Sequence, residues 1–224
     1  MSEMENKEFL RETLTFWDRL TPEQQELLLH NTQMVKYRQG ENIHCGENDC
    51  IGVLIIKEGG LRTYILSEDG REITLYRQEK GSVCILSASC ILKSITFDVM
   101  IDAERDTEVL LINASVFERV CRENVYAENF SYKIAAERFS DVMWAMQQML
   151  FMSFDKRLAI FLSDEISRTG EDTISLTHEQ IANYIGSARE VVSRMLKYFE
   201  REGLVSLSRG SVRVLDKKRL RGLI

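Results

Sequence analysis

The sequence predicts an α+β protein in three parts: an N-terminal jelly-roll β-barrel, a long helix, and a C-terminal winged helix-turn-helix. Three observations carry this. Short β-prone runs, separated by turn signals, occupy about 34–112. The stretch 124–152 contains neither Pro nor Gly. Residues 174–215 read as two short helices joined at a glycine, followed by a hairpin. The expected boundaries are 1–123 for the barrel, 124–153 for the long helix and 154–224 for the C-terminal domain.

The β-prone runs are VLII at 53–56, RTYIL at 62–66, ITLY at 73–76 and EVLLI at 108–112. Gly40, Gly59-Gly60, Asp69-Gly70 and Gly81 punctuate them. LRTYILSEDGREITLYR predicts a hairpin around Ser67-Glu68-Asp69-Gly70. Many short strands with regular turns suit a barrel or jelly roll. Ahead of them, Thr21-Pro22-Glu23 predicts a helix start, with Thr21 as cap and Pro22 at the first helical position.

In the long helix, Phe130, Ile134, Val142, Met146, Met149 and Met152 recur at spacings near three and four, or their multiples. Such a stripe fits packing on the chain's own barrel, or a seam between two helices. Periodicity leaves both open. A second helix over about 154–168 is expected to end near Gly170.

The chain has 224 residues, room for two small domains, and a net charge of −6. Residues 1–153 hold 16 Lys/Arg against 25 Asp/Glu, whereas 173–224 hold 10 against 5. A basic end on an acidic body predicts that only the end meets an anionic partner. The start, MSEMENKEFLRETL, is charged, and no stretch reaches the roughly 18 apolar residues of a membrane span. A cytoplasmic protein with no membrane partner is expected. Five cysteines in such a setting do not predict a disulfide framework.

The basic end carries the chemistry. Thr177 with Gln180 three residues on has capping-box spacing, and Gly186 ends that helix. Ser187 is expected to cap the second helix, whose apolar face is Val191, Val192, Met195, Leu196 and Phe199. Arg189, Glu190, Ser193 and Arg194 then lie off that face in the first turns. A recognition helix reads base edges with its N-terminal residues. Arg offers two parallel donors to guanine, and Glu accepts from the cytosine amino group. Lys197, later on the helix, and Arg209, in a wing around Ser208-Arg209-Gly210, are expected on phosphate. The expected partner is double-stranded DNA.

These residues carry a resemblance. IGSAREVVSRMLKYFEREGLV, set behind a barrel and a long helix, resembles the Crp/Fnr family of transcriptional regulators, and the likeness spans nearly the whole chain. Arg189, Glu190 and Arg194 match the base-reading positions of the cyclic AMP receptor protein. Glu190, Ser193 and Arg194 match those of the fumarate-nitrate reduction regulator. The resemblance implies a homodimer built on the long helix, a palindromic site, and RNA polymerase as a further partner. All three residues together favour a half-site like TGTGA over TTGAT.

The resemblance also shows what is missing. Members that bind cyclic nucleotide carry a cassette resembling G-E-L/I-A-L, then an Arg-Ser/Thr pair; its Glu holds ribose and its Arg pairs the phosphate. Here the stretch begins Gly81-Ser82, so Ser replaces the Glu, and Phe97-Asp98 take the Arg-Ser positions. A carboxylate repels phosphate, and no Arg lies nearby in sequence. Cyclic AMP is therefore not expected to bind. Tight binding would need another basic residue, such as one from the long helix. Gly81, Ser82, Cys84, Cys90 and Asp98 are the candidate effector-pocket residues, for an unidentified small-molecule or redox effector.

The cysteines are Cys45, Cys50, Cys84, Cys90 and Cys121. Iron–sulfur members of the family place a close-spaced cluster before the barrel, where residues 1–44 here have no cysteine. The sequence names no cofactor, and a metal, haem or redox role for some of these cysteines or His44 stays open beside a plain packing role. A metal-dependent cupin-like barrel enzyme is the alternative. Such sites need two or three His with a carboxylate. The chain has only His30, His44 and His178, the last in the C-terminal domain. No catalytic residues are assigned.

Overall fold

A computed structural model describes residues 3–45, 51–85 and 99–224. The chain divides into two compact units, Met1–Ile65 with Leu75–Val142, and Leu66–Thr74 with Met143–Ile224.

The first unit opens with two helices, α1 (Glu3–Thr13) and α2 (Pro22–His30). The capping box forms: Gln24 N donates to Thr21 Oγ1 at 3.3 Å, and Thr21 N to Gln24 Oε1 at 3.2 Å. Eight strands follow among the described residues: β1 (Thr32–Tyr37), β2 (Asn42–Cys45), β3 (Val53–Glu58), β4 (Gly60–Leu66), β5 (Glu72–Glu79), β6 (Val83–Cys84), β7 (Met100–Ala103) and β8 (Thr107–Ile112). They form two four-stranded sheets, in the orders β1-β8-β3-β6 and β2-β7-β4-β5. This is the expected jelly roll. The hairpin forms as the sequence requires, with Ser67 N bonded to Arg71 O at 2.8 Å and Gly70 at φ +76°.

The run VLII is apolar throughout because both faces of β3 are buried. Leu54 and Ile56 face the barrel interior with Leu61, Tyr76, Ile101, Val109 and Leu111. Val53 and Ile55 face outward, with Leu110 and Ile112 of β8, onto a layer of helices. That layer comprises Leu10, Leu28, and Phe117 and Val120 of α3 (Ala114–Glu123), together with Ile134 of the long helix α4 (Val125–Phe151). Asn124 starts α4, its Oδ1 accepting from Tyr126 N at 3.0 Å and Ala127 N at 3.3 Å.

In α4, Ile134 packs in the helix-layer core and Val142 against the barrel interior. Other apolar residues face outward. Tyr132, Ala136, Phe139, Met143, Met146 and Leu150 are all exposed and alternate at spacings of four and three.

The second unit contains α5 (Phe154–Thr169), β9 (Thr173–Ile174), α6 (His178–Ile185), α7 (Arg189–Arg201), β10 (Val205–Ser208), β11 (Ser211–Val214) and α8 (Lys217–Arg221). α5 ends at Gly170, at φ +73°. Leu158, Leu162, Ile181, Val192, Leu196, Phe199, Val205 and Val212 make one buried core. The expected hairpin is β10–β11, and β9 adds a third strand beside β11. Among the described residues, no helix is long and apolar enough to cross a membrane.

Candidate nucleic-acid interface

Helix α6 is capped by Thr177: Gln180 N donates to Thr177 Oγ1 at 3.2 Å, and the Gln180 side chain accepts from Thr177 N at 2.9 Å. Gly186 closes the helix at φ +61°, a conformation that a β-carbon disfavours. The turn then runs through Ser187 to Ala188.

Here the expectation about Ser187 is corrected. The cap of α7 is Ala188, which has no side-chain acceptor, and Ser187 lies one residue too early. Ser187 N instead bonds back to Ala182 O at 3.0 Å, so its backbone belongs to the close of α6. The first N–H groups of α7 are left without a side-chain cap, at the positive end of the helix dipole.

Helix α7 is strongly two-faced. Val192, Leu196 and Phe199 are fully buried. Arg189, Glu190 and Arg194 are exposed in the first two turns, with Ser193 half-buried between them. Lys197 is exposed one turn on, and Arg209 is exposed at the tip of the β10–β11 hairpin. The spacing 189, 190, 193, 194, 197 keeps these side chains on one side of the helix. The Arg189 Nε lies 3.9 Å from Glu179 of α6, a loose, solvent-exposed pair. His178, the first residue of α6, is half-buried. Burial, then the charges of Arg189 and Lys197, lower its pKa below the ordinary 6.5.

Two helices meeting at a glycine turn, the second with a polar, uncapped N-terminal face, and a hairpin beside them make a winged helix-turn-helix. Residues 156–223 match the family described as Crp-like helix-turn-helix domain, and residues 34–124 the family described as cyclic nucleotide-binding domain. A crystal structure of a Crp/Fnr-family transcriptional regulator from Eubacterium rectale is 46% identical. It superposes with a TM-score of 0.92 over 94% of this chain and 98% of its own.

The chain belongs to the Crp/Fnr family. It is a DNA-binding transcriptional regulator and not an enzyme. More distant relatives include the transcriptional regulatory protein btr of Bordetella pertussis, 24% identical over 86% of this chain and 81% of its own. The cyclic AMP receptor protein of Thermus thermophilus is 25% identical over 88% and 90%.

In the half that matches the cyclic nucleotide-binding domain family, Gly81 and Ser82 form the turn into β6, with Gly81 at φ +82°. Their backbone pairs with Ile56: Gly81 N donates to Ile56 O at 2.8 Å, and Ile56 N to Ser82 O at 3.0 Å. Cys84 on β6 is buried in the barrel interior. Cys90 and Asp98, with Phe97, lie outside the described residues, as does Cys50. Cys45 is exposed on β2. Cys121 is buried, and burial pushes its thiol up, away from the reactive thiolate. Among the described residues, no three His, Cys, Asp or Glu side chains group as a metal site would.

The barrel interior holds polar residues that sequence reasoning did not single out. Thr63, Tyr76 and Gln78 are buried there, as is His44. The guanidinium of Arg138, from α4, lies over the Tyr76 ring at 5.0 Å from its centroid. Its sequence signal was slight: one basic residue on a helix face read mainly for its apolar spacing.

Proposed function

We propose that this regulator acts in the cytoplasm as a homodimer on a palindromic operator, reading each half-site with Arg189, Glu190 and Arg194. The observation that carries this reading is the exposed polar N-terminal face of α7, opposite a fully buried one. Arg189 and Arg194 select guanine, and Glu190 the cytosine opposite one of them. Ser193 is the fourth residue of the face. Lys197 and Arg209 bind phosphate, and Thr177 holds the turn that aims α7.

The dimer reading is supported by the outward face of α4. Tyr132, Ala136, Phe139, Met143, Met146 and Leu150 follow the 3.5-residue period of a two-helix seam. Large apolar side chains left exposed in such a stripe mark a protein interface. The effector is sensed in the barrel, is not cyclic AMP, and biases the relative orientation of the two recognition helices. RNA polymerase is the further partner that follows from this family.

Binding selection on randomised DNA tests the reading. A palindrome containing TGTGA is the expected product, and a selected pool without two-fold symmetry would overturn the homodimeric site.

A further inference from the structure

Inside the barrel, several buried polar atoms have no partner among the described residues. Thr63 on β4 has no exposed surface, and His44 on β2 and Tyr76 on β5 are more than nine-tenths buried. His44 and Thr63 both stand opposite Ile101 of β7, so they share one face of the sheet. Thr63 and Tyr76 lie on the neighbouring strands β4 and β5. Yet Thr63 Oγ1, Tyr76 OH and His44 Nδ1 make no hydrogen bond among the described residues.

Arg138 reaches this group from α4. Its Nη1 is bound to Asp141 at 2.8 Å, and its Nη2 is 3.6 Å from the exposed Glu137. Its Nε is buried and makes no hydrogen bond among the described residues. Guanidinium Nε–H only donates, whereas the two hydroxyls turn to donate or accept. Buried polar atoms without partners are costly, and in a native protein they mark the place of a water, ion or ligand.

We propose that the barrel takes a small monocarboxylate with an apolar body, its carboxylate on the Nε edge of Arg138 and bonded to the hydroxyls of Tyr76 and Thr63. The inference rests on the reading of the barrel as the effector-binding half, and names the class of effector. A carboxylate fits the side edge of a guanidinium with two parallel bonds. Asp141 already offsets the charge of Arg138, so the carboxylate is held by the hydrogen-bond donors of the Arg138 Nε edge, Tyr76 and Thr63 rather than by a net positive charge, and the second charge of a phosphate would be still less tolerated. Burial, with a smaller contribution from Cys84, raises the Tyr76 pKa, which keeps the phenol a proton donor. Leu61, Cys84, Ile101 and Val142 supply an apolar wall for the rest of the ligand.

The test uses the full chain with butyrate and benzoate as probes, their amides as neutral controls of the same shape, and inorganic phosphate. Ligand-observed NMR and calorimetry at millimolar concentration are the readouts. The acids should bind at least about tenfold tighter than the amides, since charge-assisted bonds carry the difference. Arg138→Gln should weaken acid binding by a similar factor, and Tyr76→Phe by less. Failure of both acids to bind, amides binding as well as acids, or phosphate binding better than either overturns the proposal. If Arg138→Gln fails to fold, the acid–amide difference in the wild type still decides. Operator binding by the same preparation separates the two readings. DNA binding without acid binding removes only the ligand class, and loss of sequence-specific DNA binding removes the underlying function.

Discussion

The Arg138 guanidinium carbon lies 5.0 Å from the centre of the Tyr76 ring, so the long helix brings a cation to the barrel. The ring faces that cation, and the phenol hydroxyl makes no hydrogen bond among the described residues. Tyr76→Phe should therefore leave the unliganded protein as stable, or up to ~1 kcal/mol more stable, because it removes a buried hydroxyl without a partner. Tyr76→Ala should cost about 3–5 kcal/mol, through the cavity it opens and the removal of the ring beneath Arg138. Urea unfolding of the two variants checks this. A clear loss in Tyr76→Phe would mean that the hydroxyl is bonded in solution.

The outward face of α4 is exposed and the inward one buried, and substitutions separate the roles proposed for them. Phe139→Asp with Met146→Asp should yield folded monomers, because both side chains are exposed on the protomer and only an interface would bury the new charges. Ile134→Ala should leave assembly intact and cost about 2–4 kcal/mol, because Ile134 is buried in its own protomer's core. Sedimentation and thermal unfolding read the two effects. A wild type that sediments as a monomer at micromolar concentration would remove the dimer.

That helix also shows what a single sequence conveys. The run without Pro or Gly identified α4, but its two apolar faces overlap in periodicity. Ile134 and Val142 turned out to face the chain's own unit, while Phe139 and Met143, outside the expected stripe, are exposed. Strands buried on both faces, β3 and β8, were legible from their apolar runs, and β4 and β5 from the hairpin turn at Asp69-Gly70 between them. Short or half-exposed strands, NIHC at β2 and VC at β6, carry too few residues to show a period. In both units, the glycine turns and the caps of α2 and α6 were readable because each needs a particular residue at a fixed offset. The inward role of Arg138 was not, since it depends on which face of α4 meets the barrel.

The cap of α7 is the instructive miss, and it can be tested. Ala188→Ser places an acceptor at the true cap and should stabilise the protein by about 0.5–2 kcal/mol. Thr177→Ala removes the capping box of α6 and should cost a similar amount, whereas Ser187→Ala should cost little. Calorimetric unfolding of the three variants distinguishes the assignment. Ser187→Ala costing as much as Thr177→Ala would restore Ser187 as the cap.

His178 reports on the same face. Its pKa in the folded protein is lowered, so the neutral ring is the favoured native form. The stability this allows is complete above the unfolded value of 6.5 and is lost as pH falls through the lower folded value. NMR should place the ring's titration below 6.5 in the free protein, and Arg189→Ala should move it up. Operator DNA should move it up too, because phosphates offset the charges of Arg189 and Lys197. A titration unchanged by Arg189→Ala would mean that burial, with Lys197, sets the shift.

The face of α7 makes the strongest prediction, because its residues divide by position. Arg189, Glu190 and Arg194 occupy the first two turns, where a recognition helix meets base edges. Removing one bidentate base contact should cost about 1–3 kcal/mol and relax preference at one base pair. Glu190→Ala should accordingly select a motif with one degenerate position in each half-site. Lys197 and Arg209 lie later on the helix and at the hairpin tip, both exposed and suited to phosphate. Lys197→Ala and Arg209→Ala should weaken binding to all sequences alike and lower the salt slope by about 0.9 for each phosphate that is no longer neutralised. The discriminating measurement is selection on randomised DNA, combined with affinity at several salt concentrations. Glu190→Ala returning the wild-type motif would mean that another side chain reads the base assigned to it. Lys197→Ala changing the motif while keeping the salt slope would mean that base reading extends into the third turn of α7.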